Sequence, residues 1–263
     1  MNLQVALSLP EKAVISLVGG GGKTSLMYAL ARELAAIGKK VLITTTTKIY
    51  MPVPEEAQAT IVSMIPREIL KKARKLLDHY PHITLGAEYL PDEAKLKGVT
   101  PAVLEIIHES NIFDFIIVEA DGAAGRSLKA CAPHEPVVPL FSDLVVALIG
   151  LDVVARPLKE EFVFRSGIFS RITGLKLMEN LAESSIASIL LHDMASIPVA
   201  GKDTLKIAFL NKADTREAIV AGGRIADIIE AQNIACFNRV IIGTLKVEPI
   251  VHMCRVLTDW RRT

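Results

Sequence analysis

The chain has 263 residues, 51% hydrophobic and 22% charged, with a formal net charge of +1. It is long and apolar enough for a large core, and it has neither the basic field that draws in nucleic acid nor the acidic excess that keeps chains disordered. No run of about 18 apolar residues predicts a membrane span, Met1–Glu11 lacks the regions of a signal peptide, and Cys131, Cys236 and Cys254 form no CxxC pair, so a reduced, cytoplasmic setting without disulfides or thiolate zinc is expected.

In chain order, Ala13–Val18 reads as a buried strand and Thr24–Ile37 as a helix striped by Leu26, Leu30, Leu34 and Ile37. Gly38 ends that helix, and Val41–Thr44 is the next strand. Pro52 and Pro54 mark a loop. A charged helix over Pro66–Asp78, a strand at Ile83–Leu85, a helix at Pro101–Glu109 and a strand at Phe113–Glu119 follow. The stretch Asp121–Pro139 is long, rich in glycine and proline, and expected to be a functional loop. Leu144–Ile149 is a strand, and residues 151–200 read as a helical insertion, clearest over Leu175–Leu191. Leu205–Leu210 is a strand, Arg216–Gln232 a helix, Arg239–Ile242 a strand and Pro249–Trp260 a closing helix. Continuous apolar strands alternating with helices predict an α/β fold with a mostly parallel sheet covered by helices on both faces. Residues 1–263 are expected to form a single P-loop NTPase-like domain carrying that insertion.

The strand ending at Val18 runs into Gly19-Gly20-Gly21-Gly22-Lys23-Thr24-Ser25. Glycines let backbone N–H groups approach a polyphosphate, and the helix start adds partial positive charge. Lys23 can reach the terminal phosphates and the Thr24 hydroxyl can ligate Mg²⁺. Leu17 stands where GxxxxGK[ST] wants glycine, so the loop fits the shorter GxxGK[ST] form.

Asn211-Lys212-Ala213-Asp214 follows the strand Leu205–Leu210 and has the NKxD form of guanine-nucleotide proteins. A carboxylate there accepts from guanine N1–H and the exocyclic amine, a donor pair that adenine lacks. The asparagine braces the loop and the lysine stem packs on the base. A plain post-strand turn is the alternative.

The strand over Phe113–Glu119 delivers Glu119 and Asp121 to its C-terminal end, a Walker-B-like arrangement for holding Mg²⁺ or orienting water. Either carboxylate can take that role. Thr44–Thr47 and Lys48 end the second strand; they are candidates for contact with a γ-phosphate, or simply a β-branched strand with a polar end. Arg126, Lys129, His134 and Glu135 form a charge cluster over the nucleotide, a partner site or a solvated loop. His79, His82, His108, His192 and His252 show no metal-ligand spacing.

Three segments resemble the YqeC-type selenium-dependent molybdenum hydroxylase accessory proteins: Val18–Ser25 with Thr44–Lys48 behind it, Glu119-Ala-Asp-Gly-Ala-Ala-Gly-Arg-Ser-Leu-Lys129 running on to His134-Glu-Pro136, and Asn211–Asp214. The EADGA…K…HEP segment is the specific part. Cys131 departs from a Lys-Ala-Pro form and Phe164 from a His-Arg form. The resemblance implies an accessory NTPase whose partner is a client hydroxylase or a cofactor-maturation protein.

The residues and the resemblance together predict Mg²⁺-dependent binding and hydrolysis of GTP, or of ATP. Gly19, Gly20, Gly21, Gly22, Lys23, Thr24, Ser25, Asn211, Lys212 and Asp214 would hold the nucleotide. Lys23, Asp121 and Glu119 would carry the chemistry, with Thr24 and Asp121 on the metal. Arg126 is the candidate arginine finger. Two rivals are a Mur-ligase-like enzyme, in which ATP activates a carboxylate, and a nucleotide-binding module without turnover.

Overall fold

A computed structural model describes residues 1–198, 204–232, 236–246, 248 and 250–258. The elements in order are α1 (Leu3–Leu7), β1 (Ala13–Gly19), α2 (Lys23–Ala36), β2 (Val41–Thr45), β3 (Lys48–Tyr50), β4 (Thr60–Val62), α3 (Pro66–Leu76), β5 (His82–Gly86), β6 (Glu88–Leu90), β7 (Lys95–Lys97), α4 (Pro101–Glu109) and β8 (Phe115–Glu119). They continue with β9 (Leu128–Lys129), β10 (Leu144–Gly150), β11 (Val163–Phe164), α5 (Ser166–Thr173), α6 (Glu183–Ala195), β12 (Leu205–Asn211), α7 (Arg216–Gln232), β13 (Arg239–Thr244) and β14 (Ile250–Val256).

Nine strands form one sheet in the order β14-β13-β12-β10-β1-β8-β2-β5-β4. Every pairing is parallel except β13 with β14. β1 lies between β10 and β8, so the C-terminal ends of β8, β10 and, one strand further out, β12 flank the loop that follows it. Ligands of open α/β sheets bind at such ends.

Side chains alternate across the sheet, as a period-two strand requires. Ile15 and Leu17 of β1 pack with Leu26, Leu30 and Leu34 of α2 and with α1. The other face is divided: Val14 and Val118 pack with Leu104 and Ile107 of α4 and Ile69 of α3, and Val18 and Ile149 join a cluster that includes Ile186 of α6 and Ile225 of α7. Helices therefore cover both faces. Each fully buried Leu or Ile contributes about 1.5–3 kcal/mol, enough to fix the register of strands that are mostly apolar.

Two expectations are corrected. The closing helix over Pro249–Trp260 is the strand β14, with Pro249 and Trp260 themselves outside the described residues. Ile250, Val251 and Val256 are β-branched, and pairing with β13 satisfies a row of backbone groups on that strand. The helix expected over Leu175–Leu191 begins only at Glu183. Gly174 ends α5 in the left-handed region, and the next residues give their backbone hydrogen bonds to the segment 155–158: Met178 N–H donates to Leu158, Leu181 N–H to Arg156, and Ala155 N–H to Leu181. The short α1 and the three-stranded sheet β3-β7-β6 had no clear signature in the sequence.

Candidate functional site

The loop leaves the sheet at Gly19 and enters α2 at Lys23, with Gly22 at the cap position and no side chain capping the helix. The first-turn N–H groups of α2 thus lie open to an anion, the arrangement that binds phosphate at helix starts. Two glycines are sterically required. Gly19 has φ +90°, and a Cβ there would sit 2.3 Å from the Leu148 carbonyl oxygen. Gly21 has φ +71°, and its Cβ would sit 2.2 Å from the Gly150 nitrogen. Gly21 N–H donates to the Arg126 carbonyl at 2.9 Å, so the segment after Asp121 crosses beside the loop.

Lys23 is buried, and its Nζ donates to the Gly19 carbonyl at 2.5 Å. It lies 3.1 Å from Asp121 Oδ1 and 3.9 Å from Glu119 Oε1. Thr24 Oγ1 donates to Glu119 Oε2 at 2.9 Å. Asp121, the other residue expected beside Thr24 on a metal, accepts from Gly19 N–H at 2.9 Å and faces two lysines. Burial pushes the Glu119 carboxyl up from its ordinary range, against the pull of Lys23 and Thr24. Ser25 is exposed on the first turn of α2. The hydroxyl and the two carboxylates are hard oxygen donors of the class that Mg²⁺ takes, and Asp121 Oδ1 is a buried oxygen without a hydrogen-bond donor. The residues fit that ion.

A chain of ion pairs runs away from Asp121. Lys129 Nζ, fully buried, meets Asp121 Oδ2 at 2.9 Å, Glu135 Oε2 at 2.6 Å and the Gly122 carbonyl at 2.9 Å. Its three protons therefore have three acceptors. Glu135 in turn takes both arms of Arg165, at 2.5 and 2.9 Å, a bidentate geometry. Burial would raise the Glu135 carboxyl, but Arg165 and Lys129 outweigh it and hold it at about 2. Sequence reasoning offered Lys129 and Glu135 as one charge cluster or as a solvated loop. It did not join Arg165 to them, since Arg165 lies 30 positions from its partner.

The NKxD segment meets the glycine loop through Asn211, whose Nδ2 donates to the Gly21 carbonyl at 2.6 Å. Lys212 does not lie free over a base position. Its Nζ donates to Ser127 Oγ at 2.5 Å and pairs with Asp152 at 2.9 Å. Asp214 accepts from Thr244 Oγ1 at 2.6 Å and pairs with Lys246 at 2.8 Å, contacts that lower its carboxyl below the ordinary range. Thr244, the last residue of β13, and Lys246, just after it, were not singled out from sequence.

The threonine run is held by backbone carbonyls. Thr44, Thr45 and Thr46 donate to Leu85, Glu119 and Val137, and Lys48 pairs with Glu93. Arg126 donates to the Ala124 and Glu160 carbonyls, and His134 is exposed. Burial raises the Cys131 thiol, and its backbone N–H is held by Asp193, so this cysteine is a packed, poorly ionised group. Among the described residues no helix is long and apolar enough to cross a membrane.

The family described as YqeC protein matches residues 15–167, more than half of the chain, and that span contains the glycine loop, Glu119, Asp121 and the ion chain through Arg165. The curated protein of Escherichia coli (strain K12) named "Uncharacterized protein YqeC" is 28% identical over 240 residues, 90% of each chain. Among solved structures, the signal recognition particle 54 kDa protein of Aeropyrum pernix K1 in complex with GDP overlaps 92% of this chain at 14% identity and a TM-score of 0.38, and this chain spans only 44% of that one. FtsY of Mycoplasma mycoides overlaps 84% of this chain and 51% of its own length at 9% identity and a TM-score of 0.30.

Proposed function

The chain belongs to the YqeC family, and we propose that it binds a nucleoside triphosphate with Mg²⁺ in the glycine loop and hydrolyses it as an accessory protein. The observation that carries this reading is the bond from Asn211 to the Gly21 carbonyl, because it ties a base-reading motif to a phosphate-binding loop. Loop amides and Lys23 would stabilise charge on the phosphoryl group being transferred. Thr24 with Glu119 or Asp121 would hold Mg²⁺, which supplies charge neutralisation at the phosphates. The Thr24–Glu119 bond favours Glu119 for that place, leaving Asp121 to hold Gly19 in position.

GTP is favoured over ATP. Asp214 is ionised, and although Thr244 and Lys246 each engage one oxygen, a carboxylate offers about four acceptor sites, so both guanine donors can still be met. The client, on the strength of the resemblance, is a selenium-dependent molybdenum hydroxylase or the machinery that matures its cofactor.

The test is competition of GTP with ATP on the purified protein in Mg²⁺, repeated with Asp214→Asn, alongside measurement of phosphate release. GTP should win on the native chain and lose its lead by about tenfold in the variant, the ordinary net scale for losing one hydrogen bond. Equal affinities that Asp214→Asn leaves unchanged would remove the guanine reading. Binding without phosphate release, with or without a molybdenum hydroxylase, would reduce the protein to a binding module.

A further inference from the structure

Asp121 is shared by two lysines. Lys23 of the glycine loop lies 3.1 Å from Oδ1, and Lys129 lies 2.9 Å from Oδ2. Asp121 and Lys129 are buried to 0% and 3% exposure, and Lys23 to 5%. A carboxylate at such a site cannot lose its counter-charge without a large penalty. Yet phosphate binding asks Lys23 to turn toward the ligand.

We propose that Lys129 is a positioning residue for Lys23: it is the second cation that allows Asp121 to give up Lys23 to a triphosphate. The proposal rests on reading the loop as a triphosphate site. Once Lys23 points at phosphate, Asp121, Lys129, Glu135 and Arg165 remain as two carboxylates and two cations, a neutral set in which Asp121 and Lys129 are buried and Glu135 and Arg165 partly so. Lys129 is held for this by three acceptors, and Glu135 is held by both arms of Arg165. Glu119, 3.9 Å from Lys23, is the other charge facing the loop lysine, and Thr24 already engages it. The invariable cost is that Glu135 competes with Asp121 for Lys129.

Opposite signs follow for the two neighbours. In Lys129→Met, Asp121 has Lys23 as its one remaining cation and withholds it from phosphate. In Glu135→Gln, Asp121 becomes the one carboxylate on Lys129 and releases Lys23 more readily. Lys129→Met leaves every carboxylate a cation, since Asp121 keeps Lys23 and Glu135 keeps Arg165, so the variant should fold.

The experiment titrates the full chain with guanosine triphosphate and guanosine monophosphate in Mg²⁺ and takes the ratio of the two affinities. Lys129→Met should lower the preference for triphosphate by about tenfold, within the usual range of coupling between neighbouring sites, with monophosphate affinity unchanged. Glu135→Gln should raise the preference. An unchanged preference in Lys129→Met, a parallel loss of both affinities, or a fall in Glu135→Gln would overturn the proposal. If Lys129→Met does not fold, Arg165→Met carries the test: Glu135 then draws Lys129 away from Asp121, the preference falls, and Arg165→Lys restores it. Full preference in Arg165→Met overturns the proposal. A native chain that binds neither nucleotide would instead overturn the proposed function itself.

Discussion

Asn211 and Gly21 lie 190 positions apart, and the asparagine amide closes on the glycine carbonyl at 2.6 Å in a buried site. One bond thus joins the end of β12 to the loop after β1. Removing the donor leaves a buried carbonyl unpaired, a cost of about 1–3 kcal/mol. Asn211→Ala should lower thermal stability by that amount and weaken nucleotide binding by about tenfold. Chemical denaturation and a nucleotide titration of the same preparation check both. Stability lost with binding intact would mean that the contact only packs the sheet.

Gly21 offers a sharper steric test. Alanine there would combine a left-handed φ with a Cβ 2.2 Å from backbone, which has no flexible end to move aside. Strain of about 1–3 kcal/mol comes from the dihedral alone, and the collision must shift the loop. Gly21→Ala should abolish nucleotide binding while the far edge of the sheet stays protected in hydrogen exchange. Gly38, also left-handed but with open space around it, is the control: Gly38→Ala should leave binding unchanged.

Acid should weaken the chain through Glu135. Its carboxyl is depressed from 4.5 to about 2 by Arg165 and Lys129, against the opposing effect of burial. A depressed folded value stabilises fully above the unfolded value and is lost as pH falls through the folded one. Between about pH 5 and about pH 2 the native chain should lose stability more steeply than Glu135→Gln, as read by melting temperature at each pH. Parallel curves would show that the pair contributes nothing to this slope.

Most of the sheet could be read from sequence because its strands are continuous apolar runs, such as Leu144–Gly150, that are buried on both faces. The glycine loop was equally plain, since glycine spacing and a following Lys-Thr are local signals. What escaped is set by tertiary pairing. β14 looked helical because Ile250, Met253 and Cys254 fall at helical spacing, while the choice was made by pairing with the edge of β13, the strand just before it. Arg165 stood in the sequence only beside Phe164, the departure from a His-Arg form, and nothing near it in the chain announces that it grips Glu135. Thr44–Thr47 left phosphate contact and a plain polar strand end equally open, and only coordinates show the hydroxyls of Thr44, Thr45 and Thr46 turned to backbone carbonyls.

The central claim is that the glycine loop holds the phosphates of a nucleotide, and Lys23 is its most exacting residue. Lys23→Ala removes the ammonium while Asp121 keeps Lys129 and the Gly19 N–H as partners, so the protein should stay folded. Titration of native and variant chains with a fluorescent guanosine triphosphate in Mg²⁺ is the most direct measurement. The native chain should bind saturably and the variant should lose about a hundredfold in affinity, the scale for a charge-assisted contact worth about 1.5–3 kcal/mol. Equal binding by the two chains would contradict the claim.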